Sequence, residues 1–521
     1  MNEETQYFGR NQLYSSKKKE ELNKDTIKEI LEEVYPYQQM NAKEIDNLIN
    51  FTNGNQPILR KVKEVRPSIN NKIVVNLARF GVDFKKGFIY GKPIQYVQRT
   101  DSYPEEISKL NSYMVLENKQ LIDQQLAEYR YICGTSFRFV DVNKNFSKAS
   151  EDDEESPFFV RALDPRRTYV VYSTDVKGEQ LFGAYYSYFS EQLMTSDGEP
   201  YMSDYTIHSV YTEDRYYEYK CVGGRFEFIK EEPLVIKGKR IIEYPFNMAR
   251  TGLVELTTGL FNALNRVTSG DIDDLDQFIQ SLLVFINQDV DEEELQKMLK
   301  IGAIKIVSKQ NLPADVKQLV SNLSHADTKV LKDDLMNYLF LIWGIPRQSD
   351  SASYGDTGTA QYIGSGWTMA EQMALQDELS FKAPEREFLK FVIKVCKTKT
   401  KSGISSLKSS ELETRFTRNK SDNIQSKAQA LSTLMSCQVA PEVAFSVSEL
   451  FSDPADVVEQ SKEFYGDKFW DGKDSQGDTP PQLQPFTGEG TNVENELPTN
   501  QNGEETTQQE TQTTQEEQTK E

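Results

Sequence analysis

The segment from Gly87 to Pro93, with the sequence GFIYGKP, comes nearest to a motif that binds nucleotide phosphates. A phosphate-binding loop has one more residue between its glycines, and a Ser or Thr after its lysine holds magnesium. In this chain Pro93 follows Lys92, so the hydroxyl is missing as well. The segment therefore does not predict ATP hydrolysis, and we expect a turn before a strand.

Side chains that could act as nucleophiles, bases or metal ligands are scattered along the chain. Its two histidines, His208 and His325, fall in different predicted regions. Gly364-Ser365-Gly366 lacks the G-x-S-x-G spacing of a nucleophile elbow, so a Ser-His-Asp site is not predicted. The four cysteines, which form no CxxC pair, are Cys133, Cys221, Cys396 and Cys437. They predict no zinc site and no disulfide framework, as suits a reducing cytoplasm.

Adjacent carboxylates occur on two predicted helices, at Asp273-Asp274 and Asp333-Asp334. Neighbouring acids on a helix are most simply solvated, so we expect both pairs on exposed helix faces. With the failed motifs above, this predicts a protein that is not an enzyme and that uses no cofactor and no metal.

The charge balance limits how the chain can contact nucleic acid. Its 521 residues predict about three domains, and 60 Lys and Arg against 81 Asp and Glu give a net charge of −21. A protein that grips DNA by covering phosphates with positive charge is therefore disfavoured. The sequence shows no N-terminal signal and no apolar run of roughly 18 residues, so secretion and membrane crossing are not predicted.

The composition changes near Trp470. Residues 471–521 consist mainly of Gln, Thr, Glu, Asn, Gly and Pro, with 12 acidic and 2 basic residues. Such a segment cannot bury enough apolar surface to offset the entropy cost of ordering. We expect a disordered acidic tail that carries −10 of the net charge and leaves −11 for residues 1–470.

Residues 1 to about 250 mix helices with strands. Apolar residues at helical spacing predict a helix over Asp25–Met40, limited by Pro36, and a second helical pattern over 104–132. The predicted strands that follow are Ser136–Asp141, Phe158–Ala162, Thr168–Tyr172, Leu181–Tyr188, Thr206–Tyr211, Tyr216–Val222 and Arg225–Ile229. They predict an antiparallel sheet, with the acidic run Glu151–Glu155 in a solvated loop.

Beyond residue 250 the pattern changes to long helices. Leucines at helical intervals predict one helix over Leu253–Leu282, and a Ser-x-x-Asp signal at Ser324 predicts the start of another. Between them lie two short β-like runs, Leu282–Ile286 and Ala303–Val307, and an amphipathic helix over Asp291–Lys300. Two long helices therefore flank a small αβ insert.

The polar stretch Arg347–Gly358 has no core pattern and is predicted to be a loop. The helical pattern over 359–395 contains Pro384, which we expect to kink or break the helix. A β-like run, Thr414–Arg418, precedes a final helical region over Asn423–Tyr465.

Five short segments occur within this order of elements. They are Ile69–Asn76 (INNKIVVN), Gly87–Tyr96 (GFIYGKPIQY), Asn265–Asp274 (NRVTSGDIDD), Asp356–Ala360 (DTGTA) and Arg415–Asn419 (RFTRN). Together they resemble the portal proteins of tailed bacteriophages, in the family of siphophages that infect Gram-positive bacteria. The resemblance covers about residues 25–465 and excludes the tail, and Thr357 stands where a serine is commoner in that family.

The resemblance implies an α+β, multidomain portal fold. The expected parts are a mixed α/β wing at 1–250, stem helices at 251–281 and 324–344, a small αβ clip at 282–323, a tunnel loop at 345–358, a kinked wing helix and late strand at 359–419, a helical crown at 420–470 and the disordered tail at 471–521.

The resemblance also implies a ring of about twelve identical subunits at one capsid vertex, through which double-stranded DNA enters and leaves. The expected partners are further copies of the chain, the DNA, terminase, the major capsid and scaffold proteins, and a head–tail adaptor, with no membrane. The protein is then expected in the virion and, during assembly, in the host cytoplasm. An acidic chain suits a channel, because many phosphate contacts would hold a duplex that must slide.

Two sites follow from the resemblance. The tunnel loop is expected to touch the duplex through Arg347, Gln348, Ser349, Ser351, Ser353, Tyr354, Gly355 and Thr357. The clip is expected to form a sheet between subunits and to dock terminase and then the adaptor, because short β-like runs have edges that need partners. Its interface residues are Glu292, Glu293, Glu294, Ile304 and Ile306.

Two other classes stay open at this point. One is another virion structural protein, such as a head–tail adaptor or a capsid-associated protein, and the other is an enzyme that acts on DNA. An adaptor is usually much shorter than 521 residues, and the long helix, insert, long helix pattern favours a portal. The failed catalytic motifs disfavour the enzyme.

Overall fold

A computed structural model of the chain describes most of residues 9–465. The described residues are 9–64, 67–98, 103–146, 155–194, 200–279, 282–286, 291, 293, 315–319, 325–347, 366–418, 424–437, 439–448, 450–451 and 454–465. The chain divides after Asp422 into two compact units. Among the described residues, none of the helices combines the length and hydropathy that a membrane crossing needs.

The first unit is mixed α+β, as predicted. Its described strands are β1 (Leu13–Ser15), β2 (Gln95–Gln98), β3 (Thr135–Val142), β4 (Phe158–Leu163), β5 (Thr168–Ser173), β6 (Gln180–Met194), β7 (Pro200–Tyr211), β8 (Arg215–Val222), β9 (Arg225–Pro233), β10 (Ile241–Pro245), β11 (Leu282–Ile286), β12 (Asp315–Leu319) and β13 (Leu412–Arg415). Its described helices are α1 (Lys24–Thr52), α2 (Leu77–Tyr90), α3 (Pro104–Leu116), α4 (Lys119–Cys133), α5 (Leu253–Ile279), α6 (His325–Trp343) and α7 (Trp367–Thr398).

The six-stranded sheet has the order β1-β5-β6-β7-β8-β9 and is antiparallel except for the parallel pair of β1 and β5. All seven strands predicted between residues 136 and 229 are confirmed, in β3 to β9. Alternation divides their side chains between two faces. Ala184 and Tyr186 pack toward α1, whereas Tyr185 and Tyr211 pack against the second, three-stranded sheet, which has the order β10-β3-β4.

Helix α1 is longer than predicted. Asn23 caps its first turn by accepting from the backbone N–H groups of Asp25 and Thr26. The prediction that Pro36 limits the helix is wrong, since the helix continues to Thr52. A proline removes one backbone donor, but the buried side chains before and after it hold α1 against the sheet and the adjoining core.

The helical pattern over 104–132 forms two helices, α3 and α4. They are separated at Asn118, which has a left-handed backbone with φ of 51°. Such a conformation is uncommon outside glycine and is tolerated best by Asn and Asp. Helix α4 then packs against β3 and β4 on the side away from the six-stranded sheet.

The turn expected at Gly87–Pro93 begins later than predicted. Gly87 lies inside α2, which ends at Tyr90, and the chain turns at Gly91 and Lys92 before β2. Strand β2 pairs antiparallel with β13, so the late strand lies at 412–415, slightly earlier than the predicted run.

Helices α5 and α6 confirm the two predicted long helices. The strand β11 forms as predicted, but it pairs antiparallel with β12, a strand that the sequence pattern did not indicate. The predicted run Ala303–Val307, and Asp291–Lys300 apart from Asp291 and Glu293, lie outside the described residues.

Helix α7 runs unbroken from Trp367 to Thr398 with Pro384 inside it, so the predicted break is wrong. Buried residues on both sides of the proline, including Phe381 and Phe388, hold the two halves in one core. These contacts outweigh the single backbone hydrogen bond that the proline removes.

The second unit confirms the final helical region. Its described helices are α8 (Ile424–Ser436), α9 (Pro441–Ser448) and α10 (Pro454–Tyr465). Pro441 and Pro454 each open a helix, where the missing N–H would have had no partner within the helix. The predicted tail, residues 471–521, lies outside the described residues.

Candidate functional site

The paired helices α5 and α6 form the scaffold of the candidate site. Lys332 near the start of α6 contacts Asp271 near the end of α5. At the other end, the Trp343 indole N–H donates to the Thr257 hydroxyl at 3.1 Å and its ring lies 6.3 Å from that of Phe261. The two helices are therefore antiparallel, as expected for two stem helices joined through an insert.

Trp343, the last residue of α6, is buried at one end of the α5–α6 pair. It is 1 % exposed, and α6 ends immediately after it at Gly344, which has a φ of 61°. The N–H of Ile345 donates to the Phe340 carbonyl, and the N–H of Gly344 donates to the Leu341 carbonyl. This is the Schellman arrangement, which favours glycine because of its left-handed backbone.

An extended segment, residues 71–75, runs along α5, and three polar side chains of α5 accept hydrogen bonds from it. Ser269 accepts from the Ile73 N–H at 3.0 Å and Asn265 accepts from the Val75 N–H at 2.8 Å. Two residues of extended chain rise about 6.6 Å and four residues of helix rise about 6 Å. Donors spaced by two residues therefore match acceptors spaced by four.

Asp273 is the third of these side chains. Its carboxylate accepts from the backbone N–H of Asn71 at 2.6 Å and from the Nζ of Lys61 at 2.8 Å. Burial alone would raise the pKa of Asp273, but these hydrogen bonds outweigh it and lower the pKa to about 2. The prediction that Asp273 lies on an exposed face is wrong, because the charge is satisfied by residues about two hundred positions away.

Apolar side chains on the two helices are also exposed, and those on α6 lie along one face of the helix. Leu335 and Leu339 of α6 pack inward, whereas Leu331 and Tyr338 are 47 % and 55 % exposed. Among the side chains that the structure describes on the two helices, the exposed apolar ones are Leu256, Ile272, Leu275, Val330, Leu331, Tyr338, Leu341 and Ile342. Large apolar side chains clustered on one surface mark a site of protein contact.

Helix α7 is fixed to the α/β core by a buried ionic network. Glu385 is fully buried and accepts from Arg138 at 2.6 Å and Tyr244 at 2.8 Å, and its carboxylate lies 3.0 Å from the Nζ of Lys119. Burial would raise the pKa of Glu385, but Arg138 and Lys119 lower it. Asp123, which contacts both cations, completes the network. The middle of α7 is thereby held at a fixed place relative to α4 and β3.

Of the predicted tunnel loop at 345–358, the structure describes residues 345–347, and Arg347 is the only predicted contact residue among them. Arg347 is exposed and its guanidinium lies 3.9 Å from the Asp333 carboxylate. The other predicted loop residues lie outside the described residues; they are Gln348, Ser349, Ser351, Ser353, Tyr354, Gly355 and Thr357. Of the predicted clip residues, Glu293 is an exposed helical residue, and Glu292, Glu294, Ile304 and Ile306 lie outside the described residues.

Sequence analysis missed the residues that support this site. Trp343 was not among the predicted site residues, although a large aromatic side chain next to the helix-ending Gly344 is a candidate for burial. His208 takes no part, since it is buried among the aromatic rings of the six-stranded sheet. The described residues contain no group of three or more His, Cys, Asp and Glu side chains that could hold a metal ion.

Comparison with known protein families gives a match. A family model described as phage portal protein, SPP1 Gp6-like, matches residues 31–464, which is well over half of the chain. No curated protein matches the chain. The matched region begins in α1 and ends in α10, and it contains both segments that pair through Asn71 and Asp273.

Proposed function

The chain belongs to the SPP1 Gp6-like family of phage portal proteins, and from this premise we propose that about twelve copies form a closed ring at one capsid vertex. Double-stranded DNA passes through the ring during packaging and ejection. The phage is of the siphophage type, with a Gram-positive host. The ring has no catalytic activity of its own and depends on a separate terminase motor for ATP hydrolysis.

One observation carries the proposal, namely the exposed apolar surface of the α5–α6 pair. Leu331, Tyr338 and Ile342 lie at helical spacing on α6, outside the contact that α6 makes with α5. These side chains are about half exposed, so covering each one gains roughly 1 kcal/mol, about half of the value for full burial. A neighbouring copy that covers this surface supplies that gain, and a head-to-tail contact repeated around an axis closes into a ring.

The loop that begins at Arg347 is proposed to line the narrowest part of the channel. Its hydroxyl and amide groups can contact phosphates without a full charge, while Asp350 and Asp356 repel them. The resulting contact is weak and independent of base sequence. It suits a duplex that slides, because each additional cationic contact would strengthen binding.

The insert between α5 and α6 is proposed as the clip, which docks terminase and then the head–tail adaptor. Pairing of β11 with β12 occupies one edge of each strand, and the other edges are suited to a partner strand from a neighbouring subunit. Charge reversal at Glu292, Glu293 and Glu294 is expected to impair packaging or tail joining while rings still form. Normal phage yield from that variant would contradict the assignment.

The remaining parts and partners follow the same proposal. The α/β region to about residue 250 is the wing, the second unit is the crown, and the major capsid and scaffold proteins contact the ring during assembly. The protein is located at the capsid vertex of the virion and, before that, in the host cytoplasm.

The ring is tested by placing charges on the exposed apolar surface. We expect the wild-type protein to form closed rings with a central hole in electron micrographs, and the double variant Leu331→Glu, Tyr338→Glu to remain monomeric in analytical ultracentrifugation. The control is Val176→Glu, a fully exposed apolar residue on the turn between β5 and β6. Rings in the double variant, or a monomeric wild type, would contradict the proposed assembly.

A further inference from the structure

Helix α2 contacts both residues that flank residues 344–366, the segment that contains the proposed channel loop. Trp343, the last residue of α6, lies over Gly81, where an added Cβ would be 2.6 Å from its Cε3 atom. Trp367, the first residue of α7, lies with its ring centroid 6.4 Å from that of Phe84 and 5.7 Å from that of Phe88. The two residues that flank the segment 344–366 therefore contact one helix.

This arrangement sets the separation of the loop ends. Gly81 and Phe88 are two turns apart on α2, a rise of about 10 Å. The segment between Trp343 and Trp367 thus leaves and returns close to the same helix. Any movement of α2 along or about its axis would move both ends together.

Lys85 lies between the two tryptophan contacts. It is 4 % exposed, and its Nζ is 3.6 Å from the position that a Cβ on Gly344 would take. The described residues show neither a hydrogen bond nor an ion pair to its ammonium group. Its charge lies at the C-terminal end of α6, where a cation is favoured by the helix dipole.

The burial of Lys85 points to a specific role. The nearest balancing charge is Asp377 of α7, which already binds Arg130 at 2.8 Å and Tyr131. Burial lowers the pKa of Lys85, and the charge of Asp377 offsets part of this effect. A buried ammonium without a dedicated acceptor is costly, so stability alone would favour an apolar side chain of the same length.

The start of α2 is tied to α5 by the segment that precedes it. Asn76 caps α2, and the Val75 N–H beside it donates to Asn265 of α5. Helix α2 therefore contacts α6 through Trp343 and α7 through Trp367, and the segment before it binds α5.

We infer that Gly81, Lys85 and Phe88 are positioning residues for the channel loop, because they fix Trp343 and Trp367, on either side of the segment that contains it, relative to the stem helices. The inference rests on the proposed channel function and assigns to α2 a role in DNA passage that is separate from ring closure. Force on the loop from a moving duplex is transmitted through Trp343 and Trp367 to α2, and from there along residues 71–75 to α5.

The contact with Trp343 is tested by Gly81→Ala, which places a methyl group against the indole ring. Gly87→Ala, on the same helix, is the matched control, because a Cβ there has nothing within 4 Å. We expect Gly81→Ala rings to form and to package DNA roughly tenfold less efficiently than Gly87→Ala rings. Adding Trp343→Phe to Gly81→Ala removes atoms from the point of collision and is expected to restore part of the loss.

A direct readout of the anchor uses fluorescence. The chain has three tryptophans, and a Trp470→Phe background leaves Trp343 and Trp367 as the emitters. We expect Gly81→Ala to shift the emission to longer wavelength by exposing an indole, whereas Gly87→Ala leaves it unchanged. An unchanged emission in Gly81→Ala would overturn the contact.

Lys85→Met keeps the test decisive should Gly81→Ala fail to assemble. Methionine has a similar length and carries no charge, so we expect an equal or higher melting temperature together with a loss of packaging. A merely structural lysine would give the higher stability with normal packaging, which would overturn the inference. If Gly81→Ala and Lys85→Met both package normally while rings that lack residues 349–356 do not, the positioning role of α2 is overturned and the proposed channel contact stands. Normal packaging by that deletion overturns the proposed channel contact.

Discussion

The carboxylate of Asp273 accepts hydrogen bonds from both the backbone and the side-chain amide of Asn71, at 2.6 Å and 3.0 Å. This pair joins α5 to the segment before α2. Asp276, one turn further along α5, accepts a second bond from the same Asn71 amide at 2.7 Å. The contact explains why two separate segments that carry the family resemblance belong together, since each supplies the polar partners of the other.

Asp273→Asn is expected to weaken this attachment in a pH-dependent way. The folded-state pKa of about 2 lies below the ordinary value of 3.8. The charge therefore contributes roughly 2 kcal/mol, complete above about pH 4 and lost as the pH falls toward 2. Calorimetric melting of wild type and variant should differ at pH 7 and converge in acid.

Asp274→Asn is the control for this change. Asp274 is the next residue and is only half-buried, so we expect a change within about 0.5 kcal/mol at every pH. A constant difference between Asp273→Asn and wild type from pH 7 to pH 3 would show that the hydrogen-bond geometry, not the charge, holds the segment.

Glu385→Gln is expected to destabilise the first unit by about 3–5 kcal/mol, because it leaves Arg138 and Lys119 in the core with one carboxylate between them. The measurement is the melting temperature of the assembled protein. Glu387→Gln on the same helix is the matched control, since Glu387 is less buried and pairs with Lys390 and Lys239 near solvent. Equal melting temperatures for the two variants would contradict the stabilising role of the network.

The sequence pattern located the sheet because its strands alternate aromatic and β-branched residues with polar ones. It missed β10, Ile241–Pro245, whose burial on both faces removes that alternation, and β1, which has three residues. Pro36 and Pro384 were predicted to end or break helices, a local rule that tertiary packing overrides at both positions. Local patterns carry no information about such distant partners.

The candidate site was predictable only in part for the same reason. The long helices follow from leucine spacing, but Gly81 and Trp343 are more than two hundred and fifty positions apart in the chain. The sequence around neither residue indicates that the two are in contact. Asp273 was assigned to solvent because a carboxylate is usually exposed, and its burial becomes intelligible only with Asn71 and Lys61 in place.

His208 is expected to make the six-stranded sheet sensitive to acid. Its imidazole is stacked 4.8 Å from Tyr186 and is bonded to Tyr169 and Thr206. Burial lowers the pKa of His208 from 6.5 to about 3. Because the unfolded chain binds a proton below pH 6.5 and the folded chain does not, stability falls as the pH drops from 6.5 toward 3, by up to roughly 4 kcal/mol.

His208→Gln, which retains hydrogen-bonding groups, should flatten this dependence. The free energy of unfolding is measured by denaturant titration between pH 7 and pH 4. His325→Gln, at the other histidine of the chain, is the control and is expected to follow the wild-type curve. A wild-type pH dependence in His208→Gln would exclude this imidazole as the source.

Deleting residues 349–356 is expected to leave rings that enter procapsids but package or retain DNA poorly, by roughly tenfold. The rings persist because the apolar surface of α5 and α6 lies outside the deleted stretch. Packaging is impaired because the hydroxyl donors Ser349, Ser351, Ser353 and Tyr354 are gone. Gln348 is retained, and Arg347 stays beside Asp333. Packaged DNA is measured by nuclease protection and its length by pulsed-field electrophoresis.

A second variant separates the chemistry of the loop from its length. Replacing residues 349–356 with eight Gly and Ser residues keeps the span between Arg347 and Trp367, removes Tyr354 and both acidic side chains, and retains hydroxyl donors. If weak hydroxyl contacts suffice for sliding, this variant packages much better than the deletion. If the deletion itself packages full-length genomes at normal efficiency, the loop is not the DNA contact, and the channel wall must be sought elsewhere on the helix pair.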